Sequence, residues 1–185
     1  LAGVALDAEA DLGSLGAADP LALHRLDRLG PVEVLEIVEQ KRQLAARFGA
    51  DVVLDPVAEG AGLKERISGF YGGLGPDLAV ECAGKAQSLG LCIDLVRTGG
   101  QVFNLGAGGE PLPIVPAVLA LREVDLKSSL AYGADEARLT LDYLAGGRFK
   151  ADGMLSDVIP LADIVEKGFE RLVADRSLVK VAVAP

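Results

Sequence analysis

From Pro31 onward, short apolar runs alternate with stretches of helical periodicity, and turn residues separate the two. Few architectures accept that alternation. Strand, helix and strand in repeated succession bury their apolar faces best as βαβ units of a parallel sheet with helices packed on it. Residues 32–35 read as a strand, and 39–48 as a helix with Leu44, Ala45 and Phe48 on one face and Gly49 as its stop. Residues 51–54 form the next strand, closed by Asp55-Pro56, and a helix near 63–70 leads to the glycine-rich turn at 72–76. Residues 77–81 read as a strand and 86–96 as a helix, where Leu89, Cys92, Ile93 and Val96 recur at helical spacing. A strand at 101–105, a short helix near 117–121, a last core strand at 124–130 and a helix at 136–145 follow. The remainder reads as strand 155–159, helix 162–173 and strand 178–183.

Residues 1–30 fit this pattern worst. The stretch 2–8 suits a strand or a helix, and Asp19-Pro20 is a good helix start for 21–29, with aspartate as cap and proline at the first position. The chain thus divides into an atypical segment at 1–30, a unit of alternating strands and helices at 31–150 and a strand-helix-strand tail at 151–185. It begins at Leu1 and holds one methionine, Met154, so residues upstream are expected to be missing or trimmed.

Composition removes several classes of function. A net charge of −9 opposes binding to a phosphate backbone, and no Lys/Arg run offsets it, so nucleic acid is not an expected partner. No apolar run approaches a bilayer-spanning length, and the start lacks the pattern of a signal peptide. One histidine, His24, cannot supply a multi-histidine metal site, and Cys82 and Cys92 do not make a disulfide framework. A reducing, cytoplasmic setting and inert core thiols are the expectation.

Glu36 is the sharpest candidate. It ends a buried strand before a helix, where dinucleotide-binding folds place an acid to bond the adenosine ribose hydroxyls. A carboxylate there repels a 2′-phosphate and favours NAD over NADP; the competing reading is a solvated strand-end acid. An intact G-x-G-x-x-G is absent upstream. Gly13 and Gly16, in GSLGAA at 13–18, stand at about the distance required, although Asp19 puts negative charge where phosphate would sit and an ordinary loop explains them equally. Gly106, Gly108 and Gly109 follow a strand end, where glycine permits close backbone approach to a ligand or merely a flexible turn. Cys82, Ala83 and Gly84 sit at another strand end, small enough to leave room for a nucleotide. His24 reads as a partly exposed helix residue, and Lys64, Glu65 and Arg66 as a solvated helix face.

Taken in order, several stretches resemble the medium-chain dehydrogenase/reductase family, in particular its zinc-dependent alcohol, sorbitol and idonate dehydrogenases. They are VEVLE at 32–36 with QKRQLA at 40–45, FGADVVLDP at 48–56, DLAVECAG at 77–84, LVRTGGQV at 95–102 and VKVAVAP at 179–185. The resemblance implies an α/β, Rossmann-like, doubly wound parallel sheet, here either with a shortened or missing first strand and glycine loop or with 13–18 as a degenerate version of that loop. It implies roles as well: Glu36 as the ribose-binding acid, Lys41 as a basic contact to the adenosine ribose, and Cys82, Ala83 and Gly84 along the adenine side. Leu105 and Gly106 then lie over the nicotinamide ribose, Ala131 and Tyr132 nearest the nicotinamide, and Lys180 near the cofactor pocket. The family's catalytic zinc is held in a preceding barrel-like domain to which nothing in this sequence corresponds. No catalytic residue and no metal ligand is therefore assigned, and zinc is expected only with that domain.

The expected function is the NAD-binding part of an alcohol or polyol dehydrogenase, holding the nicotinamide for hydride transfer. A homodimer is compatible with 124–130 as an edge strand. Two alternatives stand beside it: a non-enzymatic nucleotide-binding or oligomerising module, and an S-adenosylmethionine-dependent methyltransferase, which also sets a strand-end acid on a ribose. A short-chain dehydrogenase is disfavoured because no tyrosine is followed four residues later by lysine.

Overall fold

The computed structural model describes residues 31–149 and 151–185. The readings for 1–30, with Gly13, Gly16, His24 and the shortened first strand, lie outside the described residues. Strand β1 (Glu33–Leu35) leads through α1 (Glu39–Arg47) to β2 (Val52–Leu54), then α2 (Pro56–Glu59), a 3-10 turn (Gly60–Gly62) and α3 (Leu63–Phe70). Strand β3 (Leu78–Glu81), α4 (Ala86–Leu95), β4 (Gln101–Asn104), α5 (Pro116–Arg122) and β5 (Asp125–Ser128) follow, then α6 (Ala134–Ala145). The chain ends in β6 (Leu155–Pro160), an irregular helical stretch and β7 (Lys180–Ala184).

Every described strand pair is parallel, as the strand-helix alternation requires. The strands bond as three groups: β1 with β2, β3-β4-β5 in that order, and β6 with β7. A single continuous sheet was expected; among the described residues, no strand joins β1 to β3. The first two groups nevertheless share one core. Leu35 and Leu54 from one, and Ala79, Val102 and Val124 from the other, pack with Leu63, Ile67, Cys92, Ile93, Leu95 and Val96 of the helices. Ile67, almost wholly buried, and the Cys92-Ile93-Val96 stripe bear out the helical spacing read from the sequence. Arg122 secures the end of α4 by donating to the carbonyls of Ile93, at 2.6 Å, and Val96, which the helix itself leaves unpaired.

Three expectations are corrected. Residues 124–130 do not make a core strand: all four residues of β5 are exposed, and only the preceding Val124 is buried. β5 bonds to β4, and Asp125 and Lys127 put charged side chains on one of its faces, as a solvated sheet face requires. The helix at 162–173 is broken into a 3-10 turn (Leu161–Asp163), a π-helix (Ile164–Glu170) and a short α7 (Arg171–Ala174). The wider π step brings buried Gly168 against Ile159, where an added Cβ would stand 3.3 Å from the Ile159 Cδ1. Apolar spacing declares a helix but not its hydrogen-bond step. Lastly, Cys82 is exposed and only Cys92 is a core thiol.

One buried acid departs from the apolar pattern of β1. Glu33 is fully buried; the Tyr71 hydroxyl donates to its Oε2, while its Oε1 has no hydrogen-bond partner. Burial, reinforced by the charge of Asp51, raises its pKa above the ordinary glutamate value despite the bond from Tyr71. A carboxyl whose folded pKa is raised lends stability below its unfolded value, and that contribution is lost as pH climbs through the folded value. Glu33→Gln is therefore expected to be more stable than the parent at pH 7, by about 1 kcal/mol. The gain should shrink toward pH 4. Urea unfolding of both proteins across that range checks it, and a pH-independent difference would remove the buried charge as the cause.

Candidate functional site

Parallel strands deliver their carboxyl ends, and the loops that follow, to one edge of a sheet. At the ends of β3 and β4, two such loops face each other across an open cleft of about 530 Å³ lined by 82–85 and 105–110. Glu81, the last residue of β3 and 2% exposed, holds both. Its side chain accepts from the Ala83 amide at 2.8 Å, the Gly84 amide at 2.9 Å and the Ser88 hydroxyl at 2.5 Å. Its carbonyl accepts from the Leu105 and Gly106 amides at 2.8 and 3.1 Å. One residue thus binds its own loop through the carboxylate and the neighbouring loop through the backbone.

Glycine is required where the loops touch. A Cβ on Gly106 would lie 2.2 Å from the Gly84 nitrogen, and one on Gly108 would lie 2.0 Å from the Gly84 oxygen. Gly84 itself has φ +65. The sequence suggested a ligand contact or a flexible turn for these glycines; the structure shows that they admit each other. Lys85 and Glu110 pair at 3.2 Å on the exposed rim. Cys82 lines the cleft. Cys92 lies behind it with its thiol pushed up to about 12, by burial first and then by the charges of Glu81 and Cys82, so it stays protonated at neutral pH.

The ends of β1 and β2 carry a second polar cluster. Glu36 is 5% exposed; its Oε1 accepts from the Val38 amide at 2.9 Å, and its own amide donates to the Leu54 carbonyl. Asp55 follows β2 and caps α2, accepting from the amides of Val57 and Ala58. Arg42 ties the cluster together from α1. Its guanidinium donates to the Glu36 carbonyl at 2.8 Å, to Asp55 at 2.9 Å and to Glu39 at 2.6 Å. Burial pushes the Asp55 carboxyl up, but the two α2 amides and Arg42 outweigh it and hold the group below the ordinary aspartate value.

The sequence-derived candidates fall into separate places. Cys82, Ala83, Gly84, Leu105 and Gly106 come together in the cleft. Glu36 stands at the end of β1, with Lys41 half-buried on α1. Ala131, at φ +57, and Tyr132 are exposed beyond β5, and Lys180 is exposed at the start of β7; none of the three lines this cleft. Glu81, Arg42 and Asp55 were not singled out from the sequence. A signal for Glu81 was present, because it ends a buried strand just as Glu36 does. Arg42 was legible at best as the i,i+3 partner of Glu39. Among the described residues, no three His, Cys, Asp or Glu side chains gather as a metal site, and no helix is long and apolar enough to cross a membrane.

Comparison with known proteins places this arrangement. The chain is 25% identical over 181 residues to (R,R)-butanediol dehydrogenase of Neisseria gonorrhoeae, covering 95% of this chain and 50% of that protein. It superposes on 2R,3R-butanediol dehydrogenase from Bacillus subtilis with a TM-score of 0.75 and 26% identity, over 89% of this chain and 47% of that one. A zinc-binding dehydrogenase from Sinorhizobium meliloti 1021, solved with NADP, gives 0.74 and 30% identity over 88% of this chain and 47% of its own. The chain spans about half the length of the relatives it matches, and the fold it shares with them is the Rossmann-like α/β architecture expected from the sequence. Residues 30–146, well over half of the chain, match the zinc-binding dehydrogenase family profile, and the chain belongs to that family.

Proposed function

We propose that this chain binds a nicotinamide dinucleotide, NAD in preference to NADP, as the cofactor-holding part of an alcohol or polyol oxidoreductase. The observation that carries the reading is the pairing of a buried strand-end acid, Glu36, with a glycine-walled cleft at the ends of β3 and β4. Both features lie where an open parallel sheet receives nucleotides. Glu36, aligned by the Val38 amide, would accept the adenosine ribose hydroxyls. The facing loops would take the other ribose and exclude water from the ring; Gly13 and Gly16 are proposed for the pyrophosphate. Lys41, Ala131, Tyr132 and Lys180 remain proposals from resemblance. The cofactor, once held, accepts or donates hydride. The family name implies zinc, but the described residues do not fit a zinc site, so no step here runs through a metal.

The S. meliloti relative carries NADP, so membership alone does not select the cofactor, and the acid at 36 is the basis for NAD. The division at 31–150 and 151–185 belongs to the same reading, with apolar residues exposed near β6 and β7, such as Leu161, Val165 and Phe169, serving to dock a substrate-holding domain. A homodimer through the exposed β5 and a cytoplasmic setting complete it.

Calorimetric titration with NAD and NADP tests the proposal. NAD is expected to bind more tightly, and Glu36→Ala to lose at least about tenfold in NAD affinity, the worth of one hydrogen bond to a charged group. Tighter NADP binding, or no nucleotide binding at millimolar concentration, would overturn it. Sedimentation of the same samples reads the dimer.

A further inference from the structure

The cluster around Arg42 carries more than the acid at 36 alone. An arginine beside the strand-end acid has the geometry to hold a 2′-phosphate, and Arg42 is the guanidinium that stands there. Its donors are already committed. One terminal nitrogen bonds both the Glu36 carbonyl at 2.8 Å and the Asp55 carboxylate at 2.9 Å. The other terminal nitrogen and Nε both bond Glu39, at 2.6 and 3.1 Å. Of the five N–H groups of a guanidinium, four are thereby used. The side chain is only 19% exposed.

Three segments meet at this guanidinium: the end of β1 with Glu36, the first turn of α1 with Glu39, and the end of β2 with Asp55. Each brings an acid. Among the described residues, two carboxylates bonded to one guanidinium leave a formal surplus of one negative charge. A phosphate entering here would meet that surplus and a single remaining N–H.

The geometry points to Arg42 as a withheld phosphate ligand, kept from a nucleotide 2′-phosphate by Glu39 and Asp55. Cofactor choice then resides in the bonded set of Glu36, Glu39, Arg42 and Asp55. This rests on the proposal that a dinucleotide places its adenosine ribose at Glu36. Glu39 is the component to release, because its side chain is 59% exposed and its loss spares the fold. Asp55 caps α2 and is left in place.

The test is calorimetric titration with NAD and NADP of the full chain and three variants. They are Glu36→Gln, Glu36→Gln with Glu39→Ala, and that pair with Arg42→Gln; unchanged circular dichroism confirms that each is folded. Glu36→Gln is expected to narrow the NAD preference about tenfold, and Glu39→Ala to narrow it about tenfold further. Arg42→Gln should cancel the second gain. If Glu39→Ala adds nothing, or its gain survives the loss of Arg42, this inference fails while the nucleotide site stands. If the parent chain binds neither nucleotide, the site and this inference fail together.

Discussion

Replacing Gly106 with alanine is expected to part the two loops of the cleft, lower the stability of the chain and abolish most nucleotide affinity. The added Cβ would stand 2.2 Å from the Gly84 nitrogen, 2.3 Å from Glu81 Oε2 and 2.5 Å from the Gly84 Cα. Unstrained carbon contacts lie near 3.5–4.0 Å, so the loops must separate by more than an ångström. Two of the three obstructing atoms belong to the backbone, and the third belongs to a carboxylate fixed by three donors, so no side chain can simply rotate away. Overpacking of this kind costs about 1–3 kcal/mol, which in a chain of this size lowers the melting temperature by roughly 2–12 °C. Gly108→Ala, whose Cβ would lie 2.0 Å from the Gly84 oxygen, should behave alike. Gly109→Ala is the control: nothing lies within 4 Å of its Cβ, and its melting temperature should match the parent. Equal melting temperatures for the variants at 106 and 109 would show that the loops are not held by this approach.

Glu81→Leu is expected to have the second large effect. Leucine fills a similar volume but leaves the amides of Ala83 and Gly84 without an acceptor and deprives Ser88 of a partner. Both amides are only part-buried, so each lost bond costs nearer its net worth of about 0.5–1.5 kcal/mol, and a loss of roughly 1–3 kcal/mol is expected in urea unfolding at pH 7. Glu81→Gln keeps one acceptor oxygen and should lose less than leucine. Because the Glu81 backbone also receives Leu105 and Gly106, both loops loosen together, and nucleotide affinity should fall in the same order as stability. A leucine variant as stable as the parent would mean that the carboxylate does not set the cleft.

The first effect concerns a contact between loops distant in sequence, and there the sequence was least informative; the second concerns a carboxylate whose partners lie within seven residues. Glu81 lies in the run DLAVECAG, where it read as the polar end of a strand; only its three donors make it a support. Gly106 and Gly108 read as a flexible turn or a ligand contact, whereas their requirement comes from Gly84, more than twenty residues earlier. Arg42 was similarly hidden, since two of its acceptors, the Glu36 carbonyl and Asp55, are brought together by the pairing of β1 with β2. Glu36 and the residues 82–84 and 105–106 were legible because strand-end position follows from local pattern.

Periodicity in the chain was enough to specify the succession of strands and helices, their parallel pairing and most of the core, because a βαβ alternation with apolar faces has few ways to bury itself. Local pattern likewise put an acid and several glycines at strand ends. Tertiary structure alone decided that β5 is exposed, that the last helix takes a π step around Gly168, that the Glu81 carbonyl receives the Leu105 and Gly106 amides, and that Asp55 reaches Arg42. The physical reason is the range of the forces. Burial and backbone preference act along a segment and leave a mark in its sequence, whereas a hydrogen-bond partner or a close approach exists only once two remote segments have been packed together.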